Sequence, residues 1–330
     1  MSIILCRLLR LVVTAAALGG ALFAVAAPLQ LHAQTQAPMG ETATDYNAMI
    51  LAAVRRMPSG GGYDARKPGA MALRGSITLT DGTALPQLEL RPETAQPSFC
   101  SGATYHVFLD VVQQCIAAGR LTLTREQLNA LPVRAQPDGT GVWGRWNANG
   151  PGTARLFHEL RLGRNFSAWK EARPGDFMKI WWTREIGGKE SGHSVVYLGT
   201  RVVRPEGGGE PVRMVRFWSS NLKMGYGEKE VEFYKVQRVL FSRLENVEAL
   251  QSVLDLPKTD KYLAGLLTTR TTEAEVYRLT GVKDPPSVAP KMPAHLDAAP
   301  DVRNAQKVEK PAAPGGKEKS RKPSLPEQAR

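Results

Sequence analysis

The sequence predicts an α+β fold, with helices first and an antiparallel meander after them. Up to residue 162 the apolar residues recur mainly at helical spacing, whereas beyond Pro174 they alternate with period two between glycine-rich turns. About 240 residues separate a leader from a polar tail, enough to bury one full core.

Thr44 to Met57 has the spacing of an amphipathic helix (Tyr46, Met49, Ile50, Ala53, Val54) and stops at Pro58-Ser59-Gly60-Gly61-Gly62. Ser76 to Thr80 and Leu88 to Leu90 read as the arms of a short hairpin around Asp81-Gly82. A long helix starts at Cys100, carries Val107, Phe108, Val111, Val112, Cys115 and Ile116 on its apolar positions, and ends at Ala117-Ala118-Gly119. A short helix is expected from Thr124 to Leu131, an ordered loop rich in Gly, Asn and Trp over residues 137–152, and a helix from Thr153 to Leu162. Strands are expected at 177–183, 194–203 and 212–219, with turns at Gly187-Gly188 and Glu206-Gly207-Gly208-Gly209. A further strand run covers 231–241, and a helix from Thr272 to Leu279, ended by Gly281, closes the domain at residue 282.

Both ends of the chain read differently. Residues 1–33 have the makeup of an export signal: Arg7 and Arg10, an apolar stretch from Leu11 to Ala27, and Leu31-His32-Ala33 as cleavage site before Gln34. The apolar run is about as long as a short membrane span, so an uncleaved N-terminal anchor is the alternative. Cys6 precedes that run, which argues against a lipidated amino terminus. Residues 34–43 are a polar lead-in. Residues 283–330 turn to Pro, Ala, Lys and Glu and cannot bury enough surface to offset their ordering entropy, so a disordered basic tail is expected. The reading is an exported protein, periplasmic or secreted, monomeric and without a membrane span once the signal is removed.

The formal charge of +12 is not one patch, since the leader holds +2, the tail +4 and the rest is spread over the folded part. A modest basic excess suits an anionic cell envelope. There is no basic stripe with interleaved aromatics, which excludes a nucleic-acid partner. No His, Cys or carboxylate cluster has ligand spacing, so neither metal nor cofactor is expected.

The chemistry centres on Cys100. A thiol in the first turn of a helix faces unpaired N–H groups and the positive end of the dipole, which favour the thiolate. In an oxidising compartment two cysteines usually pair. Cys100 and Cys115, however, lie roughly 22 Å apart along one helix, and bridged Cα atoms lie within about 7 Å. Cys115 is therefore expected to be a buried structural thiol and Cys100 a free one.

A thiol nucleophile needs a base, and the base an orienter. Among the histidines, His106 and His158 fall within helices and His295 in the tail, whereas His193 opens a strand directly after Gly192. A hairpin turn centred on Gly207-Gly208 puts His193 across from about position 222, one step from Asn221, whose amide oxygen can hold the ring. Ser219, two residues earlier on the same face, is the fallback orienter. Trp143, Trp146, Asn147 and Asn149 could line a glycan- or peptide-binding groove; the alternative is that both tryptophans pin a glycine-rich loop to the core.

Three segments in order, Cys100-Ser101-Gly102 at a helix start, Arg173-Pro174-Gly175-Asp176-Phe177, and Gly192-His193-Ser194-Val195-Val196-Tyr197-Leu198-Gly199, resemble the NlpC-type cell-wall peptidases. The resemblance spans roughly residues 98–221 and implies a papain-like fold. It also implies hydrolysis of amide bonds in peptidoglycan stem peptides, with Cys100 as nucleophile, His193 as base and Asn221 as orienter. Peptidoglycan is then the partner, and the backbone N–H of Cys100 contributes to the oxyanion hole. Tyr63 is the candidate for the family's upstream tyrosine. Phe99 stands where the family has Asp, and the stretch between Cys100 and the Pro-Gly-Asp turn is longer than usual. Related amidase branches remain open, as do an acyl or amide transferase on the same residues and a non-catalytic envelope-binding protein.

Overall fold

A computed structural model describes residues 44–80, 86–134, 141–187, 190–257, 260–266, 270–283 and 287–288. The leader, the lead-in, the Asp81-Gly82 turn and the tail beyond 288 lie outside the described residues.

Helix α1 (Tyr46–Arg56) is capped by Asp45, whose carboxylate accepts from the Ala48 N–H at 3.0 Å. Strand β1 (Gly60–Gly61), helix α2 (Lys67–Ser76) and the hairpin β2 (Ile77–Leu79)–β3 (Leu88–Leu90) follow. Periodicity did not disclose α2, because Pro68, Gly69 and Gly75 dilute its apolar pattern. What holds it is tertiary: buried Leu73 packs against Gly102 of the next helix.

That helix, α3 (Cys100–Ala117), is the centre of the molecule. Every residue from Ser101 to Leu109 is buried, as are Val111, Val112 and Cys115. A helix covered on all sides belongs inside a core. Phe108 stacks on Trp146 at 4.9 Å between ring centroids, and Trp146 meets Phe177 edge-on at 5.1 Å. Such ring pairs contribute about 0.5–1.5 kcal/mol each beyond the area they bury.

Helix α4 (Arg125–Asn129) begins at a reciprocal Thr124–Gln127 capping box. The loop expected over 137–152 instead contains helix α5 (Gly141–Trp146), followed by α6 (Thr153–Leu160). Gly141 and Gly144 hide the helical signal of α5, and the burial of Val142, Trp143 and Trp146 overrides their low propensity. Glu159 receives both Arg145 and Arg155, which ties α5 to α6.

Strands β4 (Gly163–Phe166), β5 (Phe177–Trp181), β6 (His193–Val203), β7 (Val212–Asn221), β8 (Gly225–Glu232) and β9 (Arg238–Leu244) form an antiparallel sheet with β1. Its order is β1-β8-β7-β6-β5-β9, and β9 also pairs with β4 at Phe241–Leu244. Helices α7 (Lys261–Leu266) and α8 (Glu273–Thr280) precede a last strand, β10 (Ser287–Val288), which pairs with Arg238 and Val239. Two expectations are corrected here. The run over 231–241 is two strands parted by a 3-10 turn at Phe233–Lys235, because its apolar pattern continues across the turn. The folded part also runs past residue 282, since β10 belongs to the segment expected to be disordered.

The class is thus α+β with a mostly antiparallel sheet. Helices cover one face of it, where Phe177, Val196 and Trp218 join the α3 core. Met178, Ile180, Val195, Phe217 and Phe241 make a second cluster on the other face. Asp176, fully buried in the turn before β5, fastens the layers. It accepts from Arg243 Nε at 2.8 Å and Nη2 at 2.7 Å, from Asn47 Nδ2 at 2.9 Å and from the Arg173 N–H at 2.7 Å. One carboxylate therefore joins α1, β5 and β9. Among the described residues no helix is long and apolar enough to cross a membrane.

Candidate active site

Cys100 is the first residue of α3. Phe99 before it is extended (φ −145°, ψ 163°), its ring is buried against Trp143, and no side chain caps the helix. The first N–H groups of a helix have no acceptor within it, so the positive end of α3 opens beside the thiol.

Several groups converge on the half-buried sulfur. The His193 ring, the Ser194 backbone N–H and the Lys179 ammonium all lie close enough to act on it electrostatically. The Tyr63 hydroxyl is near enough to interact with it as well. Tyr63 is far away in sequence but arrives through a parallel bridge to Ser98, in which the Asp64 N–H reaches Ser98 O at 2.9 Å. Burial by itself would raise the thiol. The nearby His193 ring, the charge of Lys179 and the Ser194 amide outweigh it and bring Cys100 down to about 6. Tyr63 moves the opposite way, its phenol pushed up by the charge of Cys100 and by burial.

His193 Nε2 lies 3.3 Å from Asn221 Oδ1. From Val203↔Val212 to Gly199↔Arg216 the strands keep the register of a turn centred on Gly207-Gly208. A bulge at Leu198 then shifts the pairing by one, to Tyr197↔Phe217 and Val196↔Trp218. That step sets Asn221, not position 222, across from His193. The amide is itself held: Asn221 Nδ2 donates to Gly227 O at 2.9 Å and to Ser219 O at 3.2 Å. Its oxygen must therefore be the acceptor and His193 Nε2 the donor, which leaves Nδ1 to face the sulfur. The fallback orienter is corrected, because the buried Ser219 hydroxyl donates to Ser194 O at 2.7 Å and braces the strand.

Gly192 is required where it stands. Its φ is +76°, and a Cβ there would lie 2.7 Å from Ile180 O and from Lys179 Cε. Without a side chain the backbone can turn tightly into β6 and present His193.

A cleft of about 430 Å³ opens over Cys100, walled by Tyr63 and Arg74 on one side and by Trp143, Asn147 and Lys179 on others. Trp146 and Asn149 also line it. The tryptophans do not offer free faces for stacking, which corrects that expectation. Trp146 is fully buried, its ring packed on Phe108 and Tyr105 and its Nε1 donating to Ser101 O at 3.0 Å. Trp143 packs on Phe99 and Tyr105. Asn147 is exposed, and its Oδ1 accepts from Ser101 Oγ at 2.5 Å, so its Nδ2 group is the donor left for a ligand.

Cys115, in the last turn of α3, is buried and unbridged, and burial raises its thiol. His106 is buried with Nε2 on Ser76 Oγ at 2.8 Å, and burial lowers it to about 3. Among the described residues no group of His, Cys, Asp or Glu could hold a metal ion. Sequence reasoning missed Lys179. Its signal was present as a lone charge inside the apolar run Phe177-Met178-Lys179-Ile180-Trp181.

Compared with family models, with curated proteins and with solved structures, the chain has no match.

Proposed function

We propose that this chain is an exported cysteine hydrolase of papain-like fold that cleaves amide bonds in peptidoglycan stem peptides. One observation carries the reading: a half-buried thiol at a helix start lies within electrostatic reach of an imidazole that is itself held by an amide. Two of the three segments that resemble the NlpC-type peptidases supply Cys100 and His193, and the third holds Asp176, which anchors the turn before β5. The export expectation rests on residues 1–33.

In this reading the Cys100 thiolate attacks the scissile carbonyl and forms a tetrahedral adduct, whose oxyanion is received by the Cys100 N–H at the positive end of α3. His193 Nδ1 gives its proton to the leaving amine, and a thioester to Cys100 remains. His193 then takes a proton from water, the hydroxide attacks the thioester, and the thiolate and free acid are regenerated. Asn221 keeps the ring in the tautomer and angle that both steps need.

The test is digestion of purified sacculi by the signal-free chain, with released fragments identified by mass. Fragments cut at a stem-peptide amide are the expected product. Wall binding with no released fragment would overturn the reading in favour of an envelope-binding protein. Asn221→Ala is expected to lower kcat about 10²-fold with little change in KM, because it removes the orienter and leaves the cleft. Steady-state kinetics on a released muropeptide measure it.

A further inference from the structure

Lys179 has no task in the steps above, yet it is buried to 9 % exposure in the middle of β5. Alternation along the strand puts it on the helix-side face, between Phe177 and Trp181. Its stem lies along Gly192, and its Nζ is 3.7 Å from where a Cβ on Gly152 would stand. Two glycines thus make room for this side chain in the wall of the cleft, beside Cys100.

Among the described residues no hydrogen bond or ion pair joins its ammonium to the protein. Glu190 is near enough to act on it by charge, but Glu190 Oε1 is committed to the Thr183 N–H at 2.6 Å and hydroxyl at 2.7 Å. Glu190 Oε2 is buried without a partner, so the two groups do not close an ion pair. Burial pulls the lysine toward neutrality, while the Cys100 sulfur and Glu190 hold its charge. A buried ammonium with three unused donors is costly unless an acceptor arrives. The rest of the cleft favours an anion too. Arg74 and Arg134 line it, and among the described residues no Asp or Glu does.

We infer that Lys179 is a binding residue for a substrate carboxylate, and that the amide presented to Cys100 is flanked by a free carboxylate rather than a carboxamide. This rests on the hydrolase reading and narrows its substrate. Peptide amides carry their anions as carboxylates, and a charge-assisted bond to a buried lysine favours the acid over its amide by about 10- to 100-fold.

The test compares iodoacetate with iodoacetamide as alkylators of Cys100 in the full chain at pH 7. The two reagents differ only in carboxylate against carboxamide, so the ratio of their rates cancels the thiolate fraction and needs no turnover. Relative to free cysteine, the wild-type ratio is expected to favour iodoacetate by about tenfold or more. Lys179→Met should remove most of that preference, and Lys179→Arg should keep it. A wild-type ratio no higher than that of free cysteine, or an unchanged ratio in Lys179→Met, would overturn the inference, and the wild-type arm stands even if the methionine variant does not fold. A second arm uses two peptides that differ only in acid or amide beside the scissile bond. Cleavage of the acid form about 10- to 100-fold faster supports the inference, and equal cleavage of both sinks it while leaving the hydrolase reading intact. Cleavage of neither, with the alkylation preference kept, supports the carboxylate site and sinks the hydrolase reading.

Discussion

Cys100→Ala is expected to abolish release of muropeptides from sacculi, lowering kcat/KM by about 10⁴-fold or more, while the chain stays folded. The size of the loss follows from the role. Every bond change in the proposed cycle passes through the sulfur, and the groups that converge on it, His193, the Ser194 N–H and Tyr63, have no other nucleophile to activate. The fold should tolerate the change because the side chain is small and only half-buried at the end of α3. A melting temperature within about 4 °C of wild type is the control that separates lost chemistry from lost structure. Retained cleavage by the variant would remove Cys100 from the mechanism.

The largest effect on stability is expected from Asp176→Asn. Asp176 and Arg243 are both buried and share two hydrogen bonds, so neutralising the carboxylate leaves a guanidinium without a counter-charge inside the protein. Breaking a buried pair from one side costs about 3–5 kcal/mol. For a domain of this size that lowers the melting temperature by about 6–20 °C, measurable by calorimetry or circular dichroism. The double variant Asp176→Leu with Arg243→Met should recover part of the loss, because no charge is then stranded. A single variant as stable as wild type would show that this turn does not fasten the layers. Activity should fall along with stability, since the same turn leads into β5 and so sets the strand that pairs with His193.

Particular residues show what the sequence made legible. Cys100 could be placed from its helix start, because period and flanking residues are local signals. Asn221 was placed to within one residue; the missing step was the bulge at Leu198, a feature of sheet geometry with no mark in the hydrophobic pattern. Tyr63 and Lys179 are less local. Tyr63 is named in the sequence only through the resemblance, and a backbone bridge to Ser98 is what brings it to the sulfur; Lys179 stands out only once its strand is known to be buried on both faces. Helices α2 and α5 were obscured by their glycines, whose conformational cost is offset by contacts made elsewhere in the chain. Gly69 illustrates this: a Cβ there would lie 1.8 Å from Asp64 O, so the residue that weakens α2 locally is the one that lets it pack.

The central claim is that Cys100 is held as a thiolate by the groups around it, and its alkylation by iodoacetamide as a function of pH tests this most directly. Thiolate reacts and thiol does not, so the rate should rise through about pH 6 and be level by neutral pH, while His193→Ala moves the midpoint upward. Cys115, buried and raised, should stay unlabelled over the same range. A wild-type midpoint near the ordinary thiol value of about 8.5, unmoved by His193→Ala, would contradict the account.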